Sequence, residues 1–147
     1  MFLLVVLSAL SFLQAEGNRD FLGREGSDTL VQELLVDPWS GSIHPEYGPN
    51  MMWNLSSSHM MGGWYRNSSG PMALTEEDAV EKANYFLSSV MPGSYAGNNP
   101  DKFNGYYTSH VFRDENITGM LSVNGFSGQV WYHNWHGIFI GMTEEHD

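Results

Sequence analysis

The chain has no cysteine among its 147 residues. That absence excludes disulfides, thiolate zinc sites, iron–sulfur clusters and thiol nucleophiles, so stability has to come from packing. Basic residues are also scarce: six Lys and Arg stand against 17 Asp and Glu, a formal net charge of -11. Such a field repels phosphate backbones and anionic headgroups, which argues against a nucleic-acid partner. The acidity is shared by both halves of the chain, so most of it reads as a solubilising surface. Enzyme signatures are missing too. There is no GxSxG, no GxxxxGK[ST] and no HExxH, and the carboxylates cluster at helix starts and turns, so no catalytic activity is expected.

Long apolar runs are absent except at the start, where Phe2 to Leu13 is interrupted only by Ser8 and Ser11. This run is short for a permanent membrane span and resembles a secretory signal peptide covering residues 1–15, with Ala15 as the last residue removed. No Lys or Arg precedes it. The expected location is secreted, or the periplasm or cell envelope, with no stable membrane span once the signal is gone.

What remains can fold, because 41% of residues are hydrophobic and 14% aromatic, enough for one domain with a real core. Residues 16–73 form a Met-, Gly- and Ser-rich segment that reads as irregular. Thr29 to Val36 is its one short apolar run, equally readable as a strand or a helical turn. Pro38, Pro45 and Pro49 with Gly41 and Gly48 then interrupt regular structure, and Met51 to Gly70 reads as loop.

The stretch LTEEDAVEKANYFLSSV, beginning at Leu74, carries the sharpest local signal. Thr75 is placed to cap a helix, Asp78 to complete a capping box, and Glu76 and Glu77 to complement the positive helix end. Ala79, Val80, Ala83, Phe86 and Leu87 fall on one stripe that should dock on a sheet, and Pro92 and Gly93 stop the helix. Three runs follow: Tyr106 to Arg113, Ile117 to Val123 and Gln129 to Trp135. The short turns between them predict antiparallel neighbours. In the middle run, Ile117, Leu121 and Val123 alternate with Thr118, Ser122 and Asn124, and the first set should face the helix. The expected fold is α+β: one helix on a three-stranded antiparallel sheet, with the irregular N-terminal segment covering the other face and residues 142–147 as an acidic tail.

The capped helix LTEEDAVEKAN, the three strands and the hydrophobic run into the turn of LSVNGFSGQV together resemble the PepSY domain, over residues 74–141. The end GMLSVNGFSGQVWYHNWHG is similar to small exported microbial proteins carrying that domain. Many members have an acidic residue at the position of Asn124, so a role tied to that carboxylate does not carry over. The resemblance implies a non-enzymatic binding or regulatory module whose protein partner is a peptidase or an envelope protein.

Two clusters are candidate sites. Met51, Met52, His59, Met60 and Met61 bring thioethers and an imidazole together in a loop, donors suited to copper or another soft metal. Packing of flexible Met side chains on Trp53, Trp64 and Tyr65, or simple low complexity, is the favoured account, so no resident cofactor is expected. The second cluster is VWYHNWHG. Strand alternation sends His133 and His136 to opposite faces, which argues against joint chelation. Trp131, His133 and Trp135 then share a face that needs a cover, and with His136 they form the expected binding surface. The cover could be the chain's own N-terminal segment, a partner, or a second copy in a self-associating structural protein. The first is favoured because that segment carries Phe21, Trp39, Trp53, Trp64 and Tyr65.

Overall fold

The structure, a computed structural model, describes residues 33–36, 40–55 and 70–133. Residues 1–32, with the expected signal peptide, and residues 37–39, 56–69 and 134–147, with the expected acidic tail, lie outside the described residues. Among the described residues no helix is long and apolar enough to cross a membrane.

The chain forms a short strand β1 (Leu34–Val36), a second, β2 (Ile43–Pro45), a four-residue helix α1 (Pro49–Met52) and the main helix α2 (Glu76–Val90). Strands β3 (Ser94–Ala96), β4 (Asp101–Lys102), β5 (Tyr106–Arg113), β6 (Asn116–Asn124) and β7 (Val130–Tyr132) complete it. The fold is therefore α+β, one main helix with an antiparallel sheet. The capping box at α2 is fully formed: Asp78 N–H donates to Thr75 Oγ1 at 3.2 Å, and Thr75 N–H donates to Asp78 Oδ2 at 2.9 Å. That amide, with the Thr75 hydroxyl, holds the Asp78 carboxyl below its ordinary range. Two free donors of the first turn are thereby answered.

The expected three-stranded sheet needs correction. β5, β6 and β7 are adjacent as the turns predict, but β3 and β4 both pair with the other edge of β5, giving five strands. Both additions come from the stretch after the helix, where two or three residues suffice to satisfy the free backbone groups of β5. The N-terminal segment is also less irregular than expected. β1 and β2 pair antiparallel, and Pro49 opens α1 at a position where the missing amide of proline costs nothing.

A second correction concerns Ile117. A register shift between Val111 and Phe112 sets Val111 opposite Gly119 but Phe112 opposite Ile117. Opposed residues share a face, so Ile117 falls out of phase with Leu121 and Val123. Those two do meet the helix. Ala79, Ala83 and Leu87 of α2 pack with Ala96, Tyr107, Val111, Leu121 and Val123 in one buried cluster, flanked by Phe86, Val130 and Tyr132. Full burial of a side chain such as Leu87 or Leu121 contributes about 1.5–3 kcal/mol. Asn84 Oδ1 accepts from Ala96 N–H at 2.9 Å, fastening β3 to the helix.

Two positions on this frame yield predictions. The β5–β6 hairpin turns through Asp114 (φ 48°) and Glu115 (φ 64°), the left-handed pair that a two-residue hairpin loop requires. Glu115→Gly removes the steric cost at the second position, and urea unfolding should show a gain of about 0.5–1 kcal/mol. A loss would mean that Glu115 makes a compensating contact. Gly105 has φ 117°, and a Cβ there would collide with the backbone carbonyl of Trp53. Gly105→Ala should cost about 2 kcal/mol in the same measurement. An unchanged midpoint would contradict the close approach of the N-terminal segment to this turn.

Candidate functional site: a buried polar chain between the N-terminal segment and the sheet

The face of the sheet opposite α2 follows from strand alternation. Tyr106 pairs with Asn124, Thr108 with Ser122, and Ser122 in turn with Trp131. His133 N–H donates to Met120 O at 2.9 Å, extending the β6–β7 pairing by one step and placing the imidazole on this same face. Tyr106, Thr108, Ser122 and His133 are all buried. A second layer must therefore lie over them, and the described part of the N-terminal segment supplies it.

Glu46, just after β2, brings its Oε1 to 2.5 Å from His133 Nδ1 across 87 residues of sequence. On the other side of the ring, Nε2 is hydrogen-bonded to Ser122 Oγ at 2.9 Å, and Ser122 Oγ to Thr108 Oγ1 at 2.8 Å. Glu33 Oε2 lies over the same face and accepts from Tyr106 OH at 3.0 Å. Asn50 braces the segment: its Nδ2 donates to the carbonyls of Glu33 and Glu46 at 3.1 and 3.2 Å, and its Oδ1 accepts from Glu33 N–H at 3.2 Å. Asn54 Nδ2 adds a bond to Asn50 Oδ1 at 3.3 Å. Beneath this, the Phe103 and Tyr106 rings stack 4.7 Å apart beside buried Trp53.

Glu33, Glu46, Asn50, Asn54, Thr108, Ser122 and His133 are each 6% exposed or less, which is rare for carboxylates and demands partners. No buried side-chain nitrogen or oxygen among the described residues lacks one. The electrostatics are correspondingly perturbed. Burial, then the negative charge of Glu46, pushes the Glu33 carboxyl up to about 7, against the pull of His133, Thr108 and Tyr106. Burial and the Glu33 charge push the Tyr106 phenol far up, so it remains a donor.

The expected site residues fare unevenly. His133 is 3% exposed with both ring nitrogens engaged, so it belongs to this chain of side chains and not to an open surface. Trp131 retains 37% of its surface, and its indole lies against Gly48, where an added Cβ would stand 3.2 Å from Nε1. The residues expected to need a cover are thus met, at His133 and Trp131, by the chain's own segment. Trp135 and His136 lie outside the described residues. Of the soft-metal candidates, Met51 is half-buried on α1 and Met52 exposed, while His59, Met60 and Met61 lie outside the described residues. Among the described residues no group of three His, Asp or Glu side chains is arranged to hold a metal ion.

Glu33 and Glu46 escaped sequence reasoning, since Glu46 beside Pro45 and Gly48 reads as surface and Glu33 is one charge in a short apolar run that fits either strand or helix. The polar alternation of Thr108, Ser122 and Asn124 was the available signal, but it names only one side of the layer. Chemically, Ser122, His133 and Glu46 follow the hydrogen-bonding order of an acyl-transfer triad. Ser122, however, is 0% exposed and shares its hydroxyl with Thr108, so in this conformation no substrate reaches it. Comparison with family models, with curated proteins and with solved structures gives no match for this chain.

Proposed function

We propose that the protein is a non-enzymatic binding or regulatory module acting outside the cytoplasm, with a peptidase as its partner class. The observation that carries the reading is the contrast around β7. The Ser122, His133 and Glu46 side chains are enclosed and spent on one another, whereas Trp131 beside them keeps 37% of its surface open. Ile43 and Tyr47, each 63% exposed, and Met52, 41% exposed, are further large apolar side chains on the segment that the buried chain fastens down. A rigidly held aromatic with an open edge is the kind of residue that anchors a protein interface. The peptidase as partner rests on the PepSY resemblance of residues 74–141, and fold analogy is a weaker warrant than the site itself.

The test titrates the full chain against a thermolysin-like metallopeptidase and follows hydrolysis of a peptide substrate. Concentration-dependent inhibition that Trp131→Ala weakens about tenfold supports the reading. Absence of inhibition and of binding would overturn the partner assignment. Hydrolysis of an activated ester by the chain alone, lost in Ser122→Ala, would overturn the non-enzymatic reading and establish the triad as catalytic.

A further inference from the structure

We propose that Asn104 is a self-modification site: its side chain condenses with the Gly105 amide, and the isoaspartyl product loosens the end of the N-terminal segment from the sheet. The chain has two Asn-Gly pairs, Asn104-Gly105 and Asn124-Gly125. In such a pair the backbone nitrogen after Asn can reach the side-chain carboxamide, because glycine places no Cβ in the way. The structure gives the two pairs opposite fates.

Asn124 is 6% exposed, and its Oδ1 accepts from the amides of Phe126 and Ser127, each at 2.9 Å. The attacking atom is occupied as well, since Gly125 N–H donates to Gly105 O at 2.9 Å. Reaction there requires the turn to open first. Asn104, by contrast, is exposed in the connection between β4 and β5. Among the described residues no backbone carbonyl receives the Gly105 amide. Gly105 is also held at φ 117°, which only glycine adopts readily, so the fold cannot exchange it for a residue that would slow the reaction.

The step balances with water as the one co-reactant. Gly105 N forms a bond to Asn104 Cγ and gives up its proton, the Cγ–Nδ2 bond breaks, and Nδ2 leaves as ammonia. Water then opens the five-membered imide. Cleavage of the new N–Cγ bond leaves aspartate on the original backbone. Cleavage between that nitrogen and the main-chain carbon of residue 104 routes the backbone through Cγ, which inserts one methylene and leaves the main-chain carbon as a branching carboxylate.

What this turn holds decides the consequence. Leu55 N–H donates to Asn104 O at 2.8 Å, and Gly105 lies against the backbone carbonyl of Trp53. Trp53 in turn packs with Phe103 and Tyr106, the residues on either side of the pair. The described N-terminal segment therefore ends on the peptide bond that is remade. A longer backbone moves the acceptor of Leu55 out of register and adds a negative charge to a chain already at -11.

Incubation of the full chain in mildly alkaline buffer, followed by peptide mass spectrometry, tests the site. Asn104 should deamidate at least about tenfold faster than Asn124, whose reaction waits on local opening, and isoaspartate and aspartate should both accumulate at position 104. In urea, with the turns gone, the two pairs should react at similar rates. Hydrogen exchange of the purified isoaspartyl form should show the Leu55 amide opening about tenfold more often than in fresh protein, with β5 and β6 amides unchanged. Asn104→Asp, which carries the charge without the extra methylene, should keep Leu55 near its native protection. Equal rates at the two pairs in the folded chain, or no reaction at Asn104, overturn the site. Native protection of Leu55 in the isoaspartyl form, or an equal loss in Asn104→Asp, overturns release by the lengthened backbone.

Discussion

Glu46→Ala should cost the protein about 3–5 kcal/mol, because it removes one partner of a buried charge-capable pair and strands the other. The side chains of His133 and Glu46 retain 0% and 2% of their surface, so the pair is shielded from bulk water in the intact chain. The loss should be local first. Ala79, Ala83, Leu87 and their sheet partners form a cluster that does not include Glu46, so far-UV helix content should survive after the N-terminal segment has loosened. Urea unfolding of Glu46→Ala, His133→Ala and the double variant measures the coupling directly. A double variant about as stable as either single one would show that the two act as a unit. Costs near 1 kcal/mol that simply add would reduce the contact to an ordinary hydrogen bond. Ser122→Ala, which leaves His133 Nε2 and Thr108 Oγ1 without their buried partner, should cost about 1–3 kcal/mol.

The second large effect is on pH. The Glu33 carboxyl lies at about 7 in the folded protein against an ordinary 4.5. Between those values the folded state binds more protons than the unfolded state, so stability falls as pH rises. The contribution is complete below about 4.5 and is lost as pH passes through about 7, a swing on the order of 3 kcal/mol. The chain carries 17 acidic side chains whose own titrations overlap this range, so the useful quantity is a difference. Glu33→Gln keeps the shape of the side chain and cannot ionise. Its stability relative to the native chain should improve as pH is raised from about 5 to about 8, in urea titrations at fixed salt. Parallel profiles would mean that Glu33 does not titrate against its buried neighbours.

What could be read from the residues alone was whatever repeats over several positions. The capping box of Thr75 and Asp78 and the stripe of Ala79, Ala83 and Leu87 lie within a few residues of one another, so the helix was legible from its start to Pro92. The strand Tyr106 to Arg113 was legible to its ends, because eight residues give alternation room to show. β1, β2, β3 and β4 have two or three residues each, too few for a period, and owe their pairing to neighbours that happen to present open backbone groups. The shift of Ile117 follows from a bulge that local composition does not mark. The candidate site was half legible. Alternation placed Trp131 and His133 on a face that needed covering, yet Glu33 and Glu46 carry no local mark of burial. Their role exists only once Asn50 has drawn both backbone carbonyls together.

The 87 residues separating Glu46 from His133 also set an order of events during folding. The helix and the β5–β6 hairpin make contacts of short sequence separation and close small loops, so they can form early. The layer over Tyr106 and Ser122 closes the longest loop in the described structure and gains nothing until β7 has supplied His133. During refolding, residues 33–36 and 40–54 are therefore expected to find their place after the helix and the β5–β6 hairpin. Contact order thus predicts that α2 and the five-stranded sheet form first and that the described part of the N-terminal segment docks afterwards.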